Sequence, residues 1–299
     1  MTRKQIGFAL EAAPLWLAVL LVRLLSPAAA SNLGGAVARW LGPLLPVSRV
    51  ADANLRLALP ELDAAARRRI VRGVWDNLGR TVAELPHLAR LRRTESGPGW
   101  EIVGADHLAA LQAAGGPAIF FSGHLGNWEL LPQAAAAHGI DLAVVYRPAT
   151  NTLADGLINA IRREATGGGI KMFPKGPEGA RRALAQLRDG GRLAMLADQK
   201  MNDGIAAPLF GHPAMTASAG AALALRFRCQ LLPAHVERLG PARLRIVVEP
   251  PLPLPATGDR TADIAALTTA MNACLERWIR ARPENWLWLH RRWPKDLMP

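Results

Sequence analysis

The stretch "PAIFFSGHLGNWELLPQAAAAHG", residues 117–139, contains the pattern that decides the fold. Its first six residues form a short apolar run, which is typical of a buried strand. A helical pattern follows from about Asn127 and ends at Gly139, a residue that commonly terminates helices. Between the two, His124 stands in a turn with a glycine on either side. A strand that opens into a helix is the repeating unit of α/β proteins.

The same alternation continues along the chain. Strands are predicted at residues 142–146, 170–173, 192–196, 229–236 and 244–248, and helices at 152–165, 177–191 and 261–281. This order predicts an α/β fold with a mixed, mostly parallel central sheet flanked by helices.

The amino-terminal segment has a basic start, an apolar middle and a small-residue end. Glu11 and Arg23 leave only residues 12–22 uncharged, whereas a membrane span needs roughly 20 apolar residues. Because terminal charges can snorkel, a shallow span over residues 6–25 and a surface-bound helix both stay open, beside an ordinary buried helix. We expect a membrane-anchoring helix at 1–30 and a second domain at 31–299, divided into a helical region at 31–95 and an α/β core at 96–299.

The composition predicts an anionic partner. The 299 residues carry a formal charge of +12, which suits nucleic acid, an anionic membrane or an acidic protein. The basic residues are dispersed, and one tyrosine and six phenylalanines offer few stacking platforms, so we predict no nucleic-acid binding. The two cysteines, Cys229 and Cys274, lack metal-ligand spacing and are expected to be buried thiols.

His124 and Glu129 are the candidate catalytic pair. With His124 in the turn and Glu129 in the first helical turn, the carboxylate could accept a hydrogen bond from one ring nitrogen and leave the other as a general base. The helix amino terminus could also offer N–H groups to an oxyanion. A structural histidine is the alternative. The sequence has neither HExxH nor GxSxG, so it indicates neither zinc nor a serine nucleophile.

Four blocks in order, "HLGNWE", "VVYRP", "LADQ" and "WLWLHRRW", resemble the late acyltransferases of lipid A biosynthesis. These lauroyl and myristoyl transferases belong to the lysophospholipid acyltransferase superfamily, and the resemblance covers nearly the whole chain. It implies that His124 is the general base and Glu129 its partner, with no cofactor and no metal. It also implies an acyl thioester donor, carried on the phosphopantetheine of acyl carrier protein or on coenzyme A.

The resemblance further implies where and on what the chain acts. The acceptor would be a hydroxyl of a lipid A precursor, an anionic glycolipid, at the cytoplasmic face of the bacterial inner membrane; another glycolipid, a lysophospholipid or an aminolipid is the alternative. Residues 202–216 resemble the family's loop ahead of the next helix. The predicted substrate-binding residues are Gly126, Asn127, Arg147, Arg163 (with Arg162 as its register alternative), Asp198 and Gln199. The tryptophans and arginines of residues 286–293 suit either a membrane interface or buried stacking near the site.

Overall fold

A computed structural model of the protein describes residues 3–298, so Met1 and Thr2 of the predicted anchor lie outside the described residues. The helices are α1 (Arg3–Arg23), α2 (Pro27–Leu41), α3 (Ser48–Ala58), α4 (Ala64–Glu84), α5 (Ala105–Ala114), α6 (Leu130–Ala137), α7 (Thr152–Thr166), α8 (Pro177–Arg188), α9 (Ala219–Phe227) and α10 (Arg260–Ala281). The strands are β1 (Gly99–Val103), β2 (Ala118–Ser122), β3 (Leu142–Tyr146), β4 (Lys171–Pro174), β5 (Arg192–Leu196), β6 (Lys200–Leu209), β7 (His212–Thr216), β8 (Gln230–Gly240) and β9 (Arg243–Val248).

The central sheet confirms the predicted mixed, mostly parallel arrangement. In the described part of the chain it has seven strands in the order β1-β9-β8-β2-β5-β3-β4. Every neighbouring pair is parallel except the hairpin of β8 and β9. Side chains of β2 alternate between the two faces, since Ile119 and Phe121 join the core cluster that includes α9 and α10 while Phe120 packs with the cluster on the other face. Helices therefore cover both faces of the sheet.

Residues 202–216 form a β-hairpin, so the prediction of a loop there is wrong. β6 and β7 pair antiparallel, and the Leu209–His212 pair closes on a turn made by Phe210 and Gly211. Both turn residues have positive φ, at 53° and 74°. That backbone matches the type I′ turn, whose twist suits a two-residue hairpin. A phenylalanine at positive φ is unusual, which hid the turn from sequence analysis.

The amino-terminal segment folds as two helices, not one. α1 ends at Arg23, and Ser26 caps α2 by accepting a hydrogen bond from the Ala29 amide at 3.2 Å. The expected boundary at residue 30 therefore falls inside α2. Within residues 3–298, none of the helices combines the length and the apolar character that a membrane crossing requires.

Helices α2 and α4 approach each other through glycines. A Cβ atom added to Gly79 would lie 2.2 Å from the carbonyl oxygen of Gly34, so no larger side chain fits between the two backbones. On either side of Gly79, Asn77 and Thr81 donate hydrogen bonds to the Gly126 carbonyl oxygen, so the same part of α4 contacts the turn that follows β2.

Candidate active site

His124 and Asp198 come together because they follow neighbouring parallel strands. Ser122 at the end of β2 is paired in register with Leu196 at the end of β5. Each candidate residue stands two positions beyond its strand, at the edge where α/β proteins gather reactive groups. The Nδ1 atom of His124 lies 2.8 Å from Oδ1 of Asp198.

Asp198 is completely buried and fixes His124 through both of its carboxylate oxygens. Its Oδ2 accepts a hydrogen bond from the His124 backbone amide at 2.8 Å and another from Nε1 of Trp286 at 2.7 Å. Burial alone would raise the pKa of Asp198, but the charge and hydrogen bonds of His124 hold that pKa well below its usual range. Asp198 is therefore an anion that orients the ring, and it does not line the cavity, where a substrate-binding role was predicted for it.

The imidazole of His124 is held with Nε2 free. Among the side chains and backbone groups that the structure describes, that nitrogen has no hydrogen-bond partner, and the side chain borders the main cavity. Burial lowers the pKa of His124, but the charge of Asp198 and its hydrogen bond outweigh burial, so the pKa is raised above its ordinary value. The ring of Trp128 meets it edge-on, with centroids 5.0 Å apart. The geometry presents one basic nitrogen to whatever occupies the cavity.

Glu129 does not accept a hydrogen bond from His124, so the predicted dyad geometry is wrong. Its two carboxylate oxygens accept hydrogen bonds from Nη2 and Nε of Arg162, at 2.7 and 2.8 Å. This bidentate pair lines the cavity wall beside His124. The negative charge of Glu129 contributes, after Asp198, to raising the pKa of the histidine. The register alternative, Arg162, is thus the arginine of α7 that touches Glu129.

Gly126 and Asn127 hold the turn together, and neither borders the cavity as a substrate-binding residue would. Gly126 has φ of 57°, and a Cβ atom there would lie 2.4 Å from the Val236 carbonyl oxygen. Asn127 is fully buried, with its side-chain nitrogen 2.8 Å from Oε2 of Glu84. The tight turn therefore requires glycine at 126 and excludes substrate from 127.

Helix α6 begins at Leu130, three residues later than predicted. Its first amides are already used: Glu129 N–H donates to the Asn127 side chain, and Leu130 N–H donates to the Asn127 carbonyl. The expected oxyanion site at this helix start therefore has no support from the structure.

A cavity of about 400 Å³ opens at the carboxyl ends of the strands beside His124. Its floor is one face of the sheet, where Phe120, Ala194, Val144 and Met172 are in-register neighbours on β2, β5, β3 and β4. Its roof combines apolar side chains of α6 with Ala165 and the polar side chains of Arg162, Arg163 and Thr166 of α7. The volume is typical of small-molecule sites, and the apolar lining suits a hydrocarbon chain.

Cationic side chains surround the mouth of the cavity. Arg147, Arg163 and Lys175 are exposed and border it, and none of them forms an ion pair within the described residues. Gln199 borders it as well and is half-buried. The structure thus brings Arg147, Arg163 and Gln199 to the same opening as His124. Among the described side chains no cluster of three or more metal-ligating groups occurs.

The carboxy-terminal aromatic residues are buried behind the site. Trp286, Trp288 and Trp293 are each at most 1% exposed, which selects buried stacking over a membrane interface. Trp286 reaches Asp198, and His290 lies with Nε2 3.4 Å from the Asp198 carbonyl oxygen. Sequence analysis left burial near the site as one of two alternatives and did not predict this contact with Asp198.

Two comparisons identify relatives of the chain. It is 28% identical over 199 residues to the phosphatidylinositol mannoside acyltransferases of two Mycobacterium tuberculosis strains, ATCC 25618 / H37Rv and CDC 1551 / Oshkosh. The match covers 66% of this chain and 60% of each relative's length. The sequence model of the bacterial lipid A biosynthesis acyltransferases matches residues 9–295, which is nearly the whole chain. The matched range includes both His124 and Asp198. The chain therefore belongs to the bacterial lipid A biosynthesis acyltransferase family.

Proposed function

We propose that the protein transfers a fatty acyl group from a thioester to a hydroxyl of an anionic glycolipid, with His124 as general base. One observation carries the proposal: an imidazole fixed by a buried aspartate presents Nε2 at the mouth of an apolar, chain-sized cavity. The membership in an acyltransferase family supports the same reaction.

The chemistry follows from the position of Nε2. This nitrogen takes the proton of the acceptor hydroxyl as its oxygen bonds to the thioester carbonyl carbon. The tetrahedral intermediate then collapses, the carbon–sulfur bond breaks, and the leaving thiolate takes the proton back from the imidazolium. Asp198 holds Nδ1–H in place and stabilises the imidazolium charge. No covalent enzyme intermediate is required.

The apolar cavity would hold the acyl chain of the donor. The floor row from Phe120 to Met172 crosses the strands over roughly 14 Å, at about 4.8 Å per strand spacing. The mouth lies beside His124, so a chain in the cavity would place its thioester carbonyl at the base.

A larger side chain in the floor of the cavity should shift the preference of the protein toward shorter acyl chains. Ala194→Phe adds a ring between Phe120 and Val144 and removes part of the volume available to the chain. We expect a shift in kcat/KM toward shorter acyl thioesters of about 10-fold, the scale of a few methylene contacts. The measurement is competition between donors of different chain length, with the exposed Ala180→Phe as the control. An unchanged chain-length preference would count against the cavity as the acyl site.

The free cations at the mouth suit phosphate on either substrate. Arg147, Arg163 and Lys175 could contact the phosphates of a lipid A precursor, the acceptor that the family description favours. The mycobacterial relatives favour a second candidate, a phosphatidylinositol mannoside, which is also an anionic glycolipid. The donor would be carried on acyl carrier protein, whose acidic surface matches the +12 charge of this chain, or on coenzyme A.

An apolar surface on α1 and α2 supports association with a membrane. Large apolar side chains are exposed there and just beyond α2, with Leu24, Trp40 and Leu44 at 82%, 77% and 77% exposure. A concentration of large exposed apolar side chains in one part of the chain is typical of interaction sites. We propose that these helices lie in the interface of the inner membrane, on its cytoplasmic face, where a lipid acceptor is within reach.

Charged substitutions on this surface should weaken membrane binding. Replacing Trp40 and Leu44 together by glutamate should lower binding to anionic lipid vesicles at least about 10-fold, since burying one large apolar side chain contributes roughly 1.5–3 kcal/mol. Vesicle sedimentation measures the effect. Val103→Glu, at a 49% exposed position on β1, is the control. Equal binding of the double variant and the wild type would exclude this surface as the membrane contact.

The function itself is tested by mass spectrometry of lipids from membranes containing the chain, supplied with acyl thioester and a lipid A precursor. Acceptor-dependent thioester loss with a new acyl ester supports the proposal. Thioester loss to water alone, with no ester formed on any glycolipid, would contradict it.

A further inference from the structure

Helix α4 presents a polar row toward the turn that carries His124. Asn77, Thr81 and Glu84 are spaced by four and three residues, which places them on one face of the helix. All three are buried in the middle of the protein. A polar row at this depth is costly unless each group has a defined partner. The hydrogen-bond partners of these three side chains show which segment of the chain they position.

Hydrogen bonds from this polar row of α4 hold the catalytic turn, residues 124–129, in place. The carbonyl oxygen of Gly126 accepts hydrogen bonds from the Asn77 side chain at 3.1 Å and from the Thr81 hydroxyl at 2.9 Å. Glu84 accepts one from the Asn127 side chain at 2.8 Å. The backbone between His124 and Glu129 is therefore tied to α4 at two consecutive residues.

Glu84 is the centre of this arrangement. Its carboxylate is fully buried and forms an ion pair with Arg238 of β8. It also accepts hydrogen bonds from the Ser31 hydroxyl of α2 at 2.6 Å and from the Ala242 amide at 3.1 Å. One side chain thus joins α2, α4, the β8–β9 hairpin and the catalytic turn.

Asn127 links Glu84 to the backbone of the candidate active site. While its nitrogen donates to Glu84, its oxygen accepts a hydrogen bond from the Glu129 amide at 3.2 Å. A shift of Asn127 would therefore move the backbone of Glu129 on one side and of His124 on the other. Buried ion pairs are weak evidence for stability, whereas the convergence of contacts on the turn is evidence for positioning.

We propose that Glu84 is a positioning residue for acyl transfer, which fixes the turn from His124 to Glu129 through Asn127. The expected loss of acyl-transfer rate rests on the proposed function. The expected loosening of the turn rests on the hydrogen bonds alone. Glu84 touches neither substrate nor cavity. It acts through the placement of His124, and misplacement by about 1 Å can cost 10²-fold in rate.

Glu84→Gln tests the proposal. Glutamine keeps the shape of the glutamate side chain, but its NH₂ group is a donor and cannot accept the hydrogen bond that the Asn127 side chain donates to Glu84. We expect kcat to fall by about 10²-fold with KM for the thioester near its wild-type value. The double variant Glu84→Gln with Asn127→Asp restores one carboxylate and one amide in the same pair and should regain most of the activity. The matched control is Asp52→Asn, which breaks an ion pair with Arg67. Arg67 lies on the same helix as Glu84, α4, and about 25 Å from it at 1.5 Å per residue.

Hydrogen exchange of the full chain gives a readout that needs no substrate. In Glu84→Gln, the amides of residues 123–130 should exchange faster while those of β2 and β5 stay protected, and Asp52→Asn should match the wild type. Uniformly faster exchange, or wild-type protection of the turn, would overturn the positioning role. If the wild type acylates no glycolipid, the proposed function fails, yet exchange at the turn still decides whether Glu84 holds it.

Discussion

Replacing His124 by alanine should lower kcat/KM for acyl transfer by about 10²- to 10⁴-fold, the usual contribution of a general base. The substitution removes Nε2 from the mouth of the cavity and leaves the apolar floor intact. Binding of the acyl thioester should therefore change little, and the loss should appear in kcat. Single-turnover transfer, measured beside equilibrium donor binding, separates the two effects.

The control for this prediction is His107→Ala, which removes a partly exposed histidine of α5 that does not line the cavity. It should keep wild-type activity. Activity of His124→Ala within a few-fold of the wild type would contradict the mechanism. The wild-type pH profile gives a second check: because the pKa of His124 is raised, kcat/KM should fall as pH drops through a pKa above the ordinary value of histidine.

Asp198→Asn should cost nearly as much, about 10²- to 10⁴-fold in kcat, although Asp198 does not line the cavity. Asparagine preserves the size of the buried side chain but removes the charge that stabilises the imidazolium. It can also turn a donor toward Nδ1 and favour the ring tautomer with the proton on Nε2, which is not a base. Acyl transfer by the folded variant, with thermal melting as a check of folding, measures the effect.

The pH dependence distinguishes this role from a purely structural one. The charge of Asp198 raises the pKa of His124, so its removal should move the fall in residual activity to lower pH. Asp189→Asn, at an exposed carboxylate after α8, should leave both the rate and the profile unchanged. A stable Asp198→Asn variant with full activity would exclude Asp198 as the orienting group.

Local sequence patterns were sufficient for six of the seven strands of the central sheet, as far as the structure describes it. The apolar runs at residues 142–146 and 192–196 coincide with β3 and β5, because each is a short β-prone segment bounded by helix stops. β1 and α5 were missed, since neither has a clear periodicity. The hairpin of β6 and β7 was missed because its turn uses Phe210 at positive φ.

Part of the site was predictable in its residues, but its pairings were not. His124 and Glu129 are both at the cavity, as their spacing indicated, yet each takes its partner from another part of the chain. Asp198 meets His124 because β5 lies next to β2, and strand order is not written in any local pattern. Glu84 was hidden for the same reason, since a carboxylate at the end of an amphipathic helix predicts solvent exposure unless its distant partners are known.

The most direct test supplies the chain, in anionic lipid vesicles, with acyl carrier protein bearing a labelled acyl thioester and with either a lipid A precursor or a phosphatidylinositol mannoside. We predict that one acceptor gains one acyl ester for each thiol released, and that His124→Ala releases neither above background. Transfer by His124→Ala at the wild-type rate, or a labelled acyl group that remains covalently on the protein, would contradict direct base-catalysed transfer at this site.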